Sequence, residues 1–186
     1  VVVRDLKTGS VLTGPYVEYK RGVKGIRDSA EVLALSRPTV KYFTQRINER
    51  KPTDHPYDIV ANVLHGFGQS RLRAIGEASI DRDSLHASGD SISFLRGKSA
   101  VARVWGTPGI IQRTTKDSFF VLGKQVIIGL VDDKIQDVRA LGLAHVTNAG
   151  SQVVADTITM VFTKEKLALT TAWDRTTVAT VRNAGY

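Results

Sequence analysis

Gln125-Val126-Ile127-Ile128-Gly129-Leu130-Val131 is the stretch whose reading decides the fold. It is the longest nearly unbroken apolar run, and it leads into the turn residues Asp132 and Asp133. The run is far below the ~18 to 20 residues needed to span a bilayer as a helix, so it reads as a strand entering a turn. Short β-rich runs lie on both sides of it, at Ser91–Leu95, Ala100–Trp105, Gly109–Arg113 and Phe119–Leu122, then at Gln152–Phe162, Leu167–Trp173 and Thr176–Val181. From Ile80 onward, β character with Gly, Asp, Asn and Lys punctuation predicts an antiparallel sandwich or barrel.

The N-terminal third reads differently. Residues 1–20 alternate loosely, with Gly9 and Gly14-Pro15 as turn signals, and predict two short strands. From Asp28 the spacing of Ala30, Leu33, Leu35, Val40, Phe43 and Ile47 is helical, with Asp28 or Ser29 as cap, and predicts one or two helices. After the polar break Lys51–Pro56, the residues Tyr57, Ile59, Val60, Val63 and Leu64 predict a further short helix that Gly66 ends. The expectation is a mainly β chain with two or three short helices in the N-terminal third. It forms a single domain over 1–186, with a basic mixed segment at 1–80 and a β-rich core at 81–186.

Hydrophobic residues make up 42% and charged residues 24%, with a mean hydropathy of −0.10, so the chain is expected to fold in water without a membrane span. The opening Val-Val-Val-Arg-Asp has no secretion-signal pattern. There is no cysteine, which excludes disulfides and thiolate chemistry. His55, His65, His86 and His145 lack the spacing of a helical zinc site, and neither a metal nor a cofactor is expected.

The net charge of +8 is one-sided. Residues 1–116 hold 19 Lys/Arg against 11 Asp/Glu, while 117–186 hold 7 against 7. Residues 1–51 alone hold 11 basic against 5 acidic groups. Such a segment favours polyanions, first nucleic acid and then anionic membrane surfaces.

Catalysis is not expected. Asp132 and Asp133 are adjacent, so on a strand they point to opposite faces. No Gly-x-Ser-x-Gly or phosphate-binding loop occurs, and Gly66-Phe67-Gly68 lacks the strand and third glycine of a dinucleotide fingerprint.

Two stretches resemble known families. Ala30–Val40 resembles the core of a bacterial helix-turn-helix, in which Arg37, Thr39 and Lys41 would face duplex DNA. Gly109 to Asp174 resembles plant-virus movement proteins of the thirty-kilodalton superfamily. The likeness rests on Gly109-Ile110-Ile111-Gln112, Phe119 or Phe120, Gly123, the strand ending in Leu130-Val131-Asp132 with Lys134 after it, Leu141-Gly142, Asn148-Ala149-Gly150 and Thr159–Lys164. It implies a jelly-roll core, cooperative binding of single-stranded nucleic acid, RNA ahead of DNA, and action in the host cytoplasm and at plasmodesmata, with no cofactor. Asp132 would be structural and Gly142 would provide backbone freedom.

Phosphate contacts would come from Lys20, Arg21, Lys24, Arg27, Arg37, Lys41, Arg46, Arg50, Lys51, Arg71, Arg73, Arg96, Lys98 and Arg103. Tyr19, Tyr42, Phe43 and Trp105 are candidates for base stacking. The related alternative is a single-jelly-roll coat protein located in the virion. Either role implies a homo-oligomer.

Overall fold

The computed structural model describes residues 1–68, 70–96, 99–114, 118–132, 134–148, 150–164, 166–174 and 178–181. Among these there is no α-helix. The strands are β1 (Val2–Arg4), β2 (Val11–Thr13), β3 (Tyr16–Lys20), β4 (Glu31–Leu35), β5 (Thr39–Tyr42), β6 (Tyr57–Val60), β7 (Val63–Phe67), β8 (Arg71–Arg82), β9 (Leu85–Leu95), β10 (Ser99–Arg113), β11 (Phe119–Val131), β12 (Lys134–Asn148), β13 (Ser151–Thr163), β14 (Lys166–Trp173) and β15 (Val178–Val181). A single 3₁₀ turn spans Ile47–Glu49.

From β8 to β15 each strand pairs antiparallel with the next in sequence. The arrangement is a meander. Among β1–β8, by contrast, β2 pairs β5, β4 pairs β7 and β6 pairs β8, each skipping strands that lie between them in sequence.

Each long strand is broken near its middle at the same level of the sheet. Register shifts fall between Ile75 and Ala78, Trp105 and Gly109, Leu122 and Gln125, and Leu141 and Ala144. Left-handed pairs mark two of the breaks, Gly76-Glu77 (φ 78° and 47°) and Gly142-Leu143 (73° and 53°), and a third pair, Ser36-Arg37 (67° and 58°), joins β4 to β5. A row of bulges bends β8 to β13 at one level and creases the sheet.

The crease divides the sheet into two facing layers that share their long strands. The C-terminal half of β8 pairs β6 and continues to β5, β2 and β1, whereas its N-terminal half pairs β7 and continues to β4 and β3. The first layer thus runs from β1 through β2, β5, β6 and the Ser79–Arg82 half of β8. The second runs from β3 through β4, β7 and the Arg71–Ile75 half. Tyr42 and Tyr57 of the first layer meet Phe94 of the second across the interior, with ring centroids 5.8 and 5.6 Å apart.

Alternation places Ala74, Ile92, Phe94, Val104, Val126, Ile128, Val138, Ile158 and Met160 inside. Burying each large aliphatic side chain contributes roughly 1.5 to 3 kcal/mol.

The structure corrects the helical expectations. The segment read as the first helix is β4 and β5, and the one after Pro56 is β6 and β7. Leu33 and Leu35 are half-buried on the outer side of β4 while Ala34 is buried inside, so polar alternation vanishes. Ala61-Asn62 then shifts the phase. Tyr57, Ile59 and Ala61 are buried, and so is Leu64, which mimics a helical spacing. Gly66 ends no helix, since it lies within β7 opposite Val32 and Leu72. With Glu31–Leu35 a strand, there is no recognition helix and no helix-turn-helix. The boundary expected near residue 80 falls inside β8.

Asp132 ends β11 in a left-handed conformation (φ 49°) at the turn into β12, as expected of a strand end, and Asp133 lies outside the described residues. At Gly142 the positive φ favours glycine, and a Cβ there would sit 3.1 Å from the Lys124 side chain.

Candidate apolar cleft and its basic rim

Between the two layers, at the end formed by the short N-terminal strands, lies a cleft of about 150 Å³. Val3, Leu12 and Val40 line it from the first layer, and Val32, Leu64 and Leu72 from the second. Here β1, β2, β4, β5, β7 and β8 each contribute one aliphatic side chain, Val or Leu, to the lining. They do not fill the gap. Asp5 and Ser10 mark its outer end. Both are occupied in the β1–β2 turn: the Asp5 carboxylate accepts from Lys7 N (2.8 Å) and Thr8 Oγ1 (3.0 Å), and Ser10 Oγ accepts from Phe43 N (3.0 Å). The surface left facing the cleft is almost wholly hydrocarbon.

Two basic loops border the mouth. Residues 21–30 leave the second layer beyond Val32 and are tied to the β7 end by Gly68 N donating to Ala30 O at 2.8 Å. Residues 43–56 leave the first layer and are tied to the β1–β2 turn by Ile47 N donating to Lys7 O at 3.0 Å. Arg50 lies flat on Phe43, 3.7 Å from the ring centroid. Lys20 pairs with Glu18 (3.3 Å) and Arg27 with Glu31 (3.7 Å). Arg4, Lys7, Arg21, Lys24, Arg46 and Lys51 make no ion pair among the described residues.

Aliphatic side chains stand out between these cations. Leu6 and Ile26 are 84% and 81% exposed, and Ile47 and Val23 are exposed as well. Exposed aliphatics at loop tips, interleaved with Lys and Arg, form a surface for a ligand that is both apolar and anionic.

The expected phosphate contacts are therefore not one surface. Lys20, Arg21, Lys24, Arg27, Arg46, Arg50 and Lys51 gather at the cleft rim. Arg37 sits at the crease, bonded to Glu77 at 2.8 Å, and Lys41 faces Asp58 at 3.6 Å on the outer side of the first layer. Arg71, Arg73 and Arg103 lie on the outer side of the second layer, while Arg96 follows β9. Lys98 lies outside the described residues.

Among the aromatics, Tyr42 packs edge-on against Phe94 in the core and Phe43 is covered by Arg50, so neither offers a free stacking face. Tyr19 lies opposite Val32 at the free edge of the second layer and is 61% exposed. Trp105 points outward from β10. Sequence reasoning missed Lys7, Arg139 and the cleft. Arg139 was hidden because β12 was not read as a strand.

No group of three or more His, Asp or Glu that could hold a metal occurs among the described residues. Two His-Asp contacts, His55 with Asp83 and His86 with Asp81, lie on the outer side of the first layer. No described helix is long and apolar enough to cross a membrane.

The fold and site define an all-antiparallel β protein with an apolar cleft under a basic rim. No family model matches the chain, and no curated protein matches it in sequence.

Proposed function

We propose that this protein is a non-catalytic binding module for an anionic amphiphile, whose apolar chain enters between the layers while its charged head meets the rim. One observation carries the reading: an aliphatic cleft opens at the end of the interior where the loops 21–30 and 43–56 bring three Lys/Arg each. Burial of hydrocarbon supplies affinity at roughly 25 cal/mol per Å². The unpaired cations supply attraction for the head, worth about 1 kcal/mol per charge near an anionic surface. The cleft asks for no cofactor.

The test is a titration with a dansyl-labelled long-chain fatty acid, competed by an alkyl phosphate, an alkyl maltoside of the same chain length, and inorganic phosphate. Competition by both alkyl compounds, with the phosphate the stronger and inorganic phosphate inert, is the expected order. Equal competition by inorganic phosphate would remove the cleft from the account.

The movement-protein and coat-protein readings both imply a jelly roll, to which the sequential pairing of β8 to β15 lends no support. Self-association keeps some support from topology: β1, β3 and β15 each pair on one side only, and such edges can take a further strand. Single-stranded nucleic acid is a candidate partner at a different surface.

A further inference from the structure

The outer side of the second layer carries a straight row of arginines. Backbone register sets Arg73 opposite Ser93, Ser93 opposite Arg103, Arg103 opposite Ile127 and Ile127 opposite Arg139. Arg73, Arg103 and Arg139 thus stand in one line across the strands, each two strands from the next. At a strand spacing of 4.7 to 4.9 Å, that separation is roughly 9.5 Å. None of the three makes an ion pair among the described residues. The nearest carboxylate in the adjoining row, Asp137, lies over Gly129, where a Cβ would come within 2.3 Å of its Oδ1.

A second row runs parallel to the first, two residues along each strand. It holds Trp105 opposite Gln125, Gln125 opposite Leu141, Leu141 opposite Thr157 and Thr157 opposite Trp173. Two residues of strand separate the rows by roughly 7 Å. Trp173 is 50% exposed. Three guanidinium groups beside two indoles, which stand four strands apart on β10 and β14, match a linear polyanion that carries flat rings along one side: charge goes to one track and stacking to the other.

We infer that this face binds single-stranded nucleic acid, laid across the β-strands with its phosphates on Arg73, Arg103 and Arg139 and its bases toward Trp105 and Trp173. The site is independent of the cleft and uses none of its residues. Contacts to backbone charge and ring faces carry no sequence preference. Between Arg73 and Arg139 the row holds three arginines and no carboxylate, and its linear register favours a strand over a diffuse headgroup layer.

Fluorescence anisotropy with a labelled oligouridylate across a salt series tests the inference, run beside sedimentation with vesicles containing phosphatidylserine. Three phosphate contacts predict a slope of log affinity against log salt near −2, from about −0.7 per contact on a single strand. The triple variant Arg73→Glu/Arg103→Glu/Arg139→Glu should lower affinity at least tenfold and flatten that slope. All three side chains point outward, and unchanged circular dichroism would verify the fold. Trp173→Ala should lose about tenfold with the slope unchanged. The inference is overturned if wild-type protein shows no salt-dependent binding, if Lys24→Glu/Lys51→Glu abolishes binding while the triple variant keeps it, or if vesicles bind and the oligonucleotide does not.

Discussion

The two ends of the interior use the same alternating pattern and reach different outcomes. Toward the C-terminus, strands of 11 to 15 residues bring Val104, Val121, Val126, Ile158, Met160, Phe119 and Phe162 together, and Phe119 meets Phe162 with centroids 5.4 Å apart. In the central region between β5, β6 and β9–β11, only about 20 Å³ stays empty. Toward the N-terminus, the strands β1–β7 are 3 to 5 residues long and the side chains that face the cleft are Val and Leu. There about 150 Å³ stays open. Aromatic side chains bridge the layers in the first case and are missing from the cleft lining in the second. The same end also holds Arg4, Lys7, Arg21, Lys24, Arg46 and Lys51, which make no ion pair among the described residues. Where large side chains fill the space the layers form a core, and where they do not, a ligand can.

This contrast can be broken by mutation, beginning where the effect is largest. Ile158 is fully buried at the packed end, so Ile158→Ala should cost roughly 2 to 5 kcal/mol in urea denaturation. Gly89→Ala acts at the crease, where a Cβ would lie 2.5 Å from the Trp105 carbonyl oxygen. Backbone must shift to admit it, and the expected loss is roughly 1 to 3 kcal/mol. Arg21→Glu/Lys24→Glu and Arg46→Glu/Lys51→Glu should leave stability within about 0.5 kcal/mol, as surface changes usually do. Each should weaken the alkyl phosphate about tenfold relative to the maltoside at low salt, with the difference shrinking at high salt. Leu12 lines the open cleft and is only partly buried. Leu12→Ala should therefore cost under about 1 kcal/mol, well below the ~2 to 5 of a packed site. A loss as large as that of Ile158→Ala would mean the cleft is core.

Much of the β architecture was legible where alternation is clean. The pairs of strands read at Ala100–Trp105 with Gly109–Arg113, and at Phe119–Leu122 with Gln125–Val131, are single strands bent at the crease. Their glycines were read as ends because a bulge and a turn use the same residue type. β8 was missed because the residues it buries are partly alanines, Ala74 and Ala78, which carry no β signature. β12 was missed because Gly142-Leu143 interrupts its phase. The basic residues were found, but their division among rim, crease and outer face depends on which layer each strand joins. No local pattern encodes that. The cleft was invisible for a related reason: it is a shortage of volume across two layers, set by residues as distant as Val3 and Leu72.

Mapping where the apolar chain sits tests the central claim most directly. Isotope-labelled protein titrated with a spin-labelled fatty acid should lose backbone amide signals from Val3, Leu12, Val32, Val40, Leu64 and Leu72 at low ligand ratios. In Val32→Phe, which fills the cleft from one wall, those losses should disappear while the spectrum stays dispersed. Broadening that centres on Arg73, Arg103 and Trp173 instead, or that persists unchanged in Val32→Phe, would contradict the cleft as the binding site.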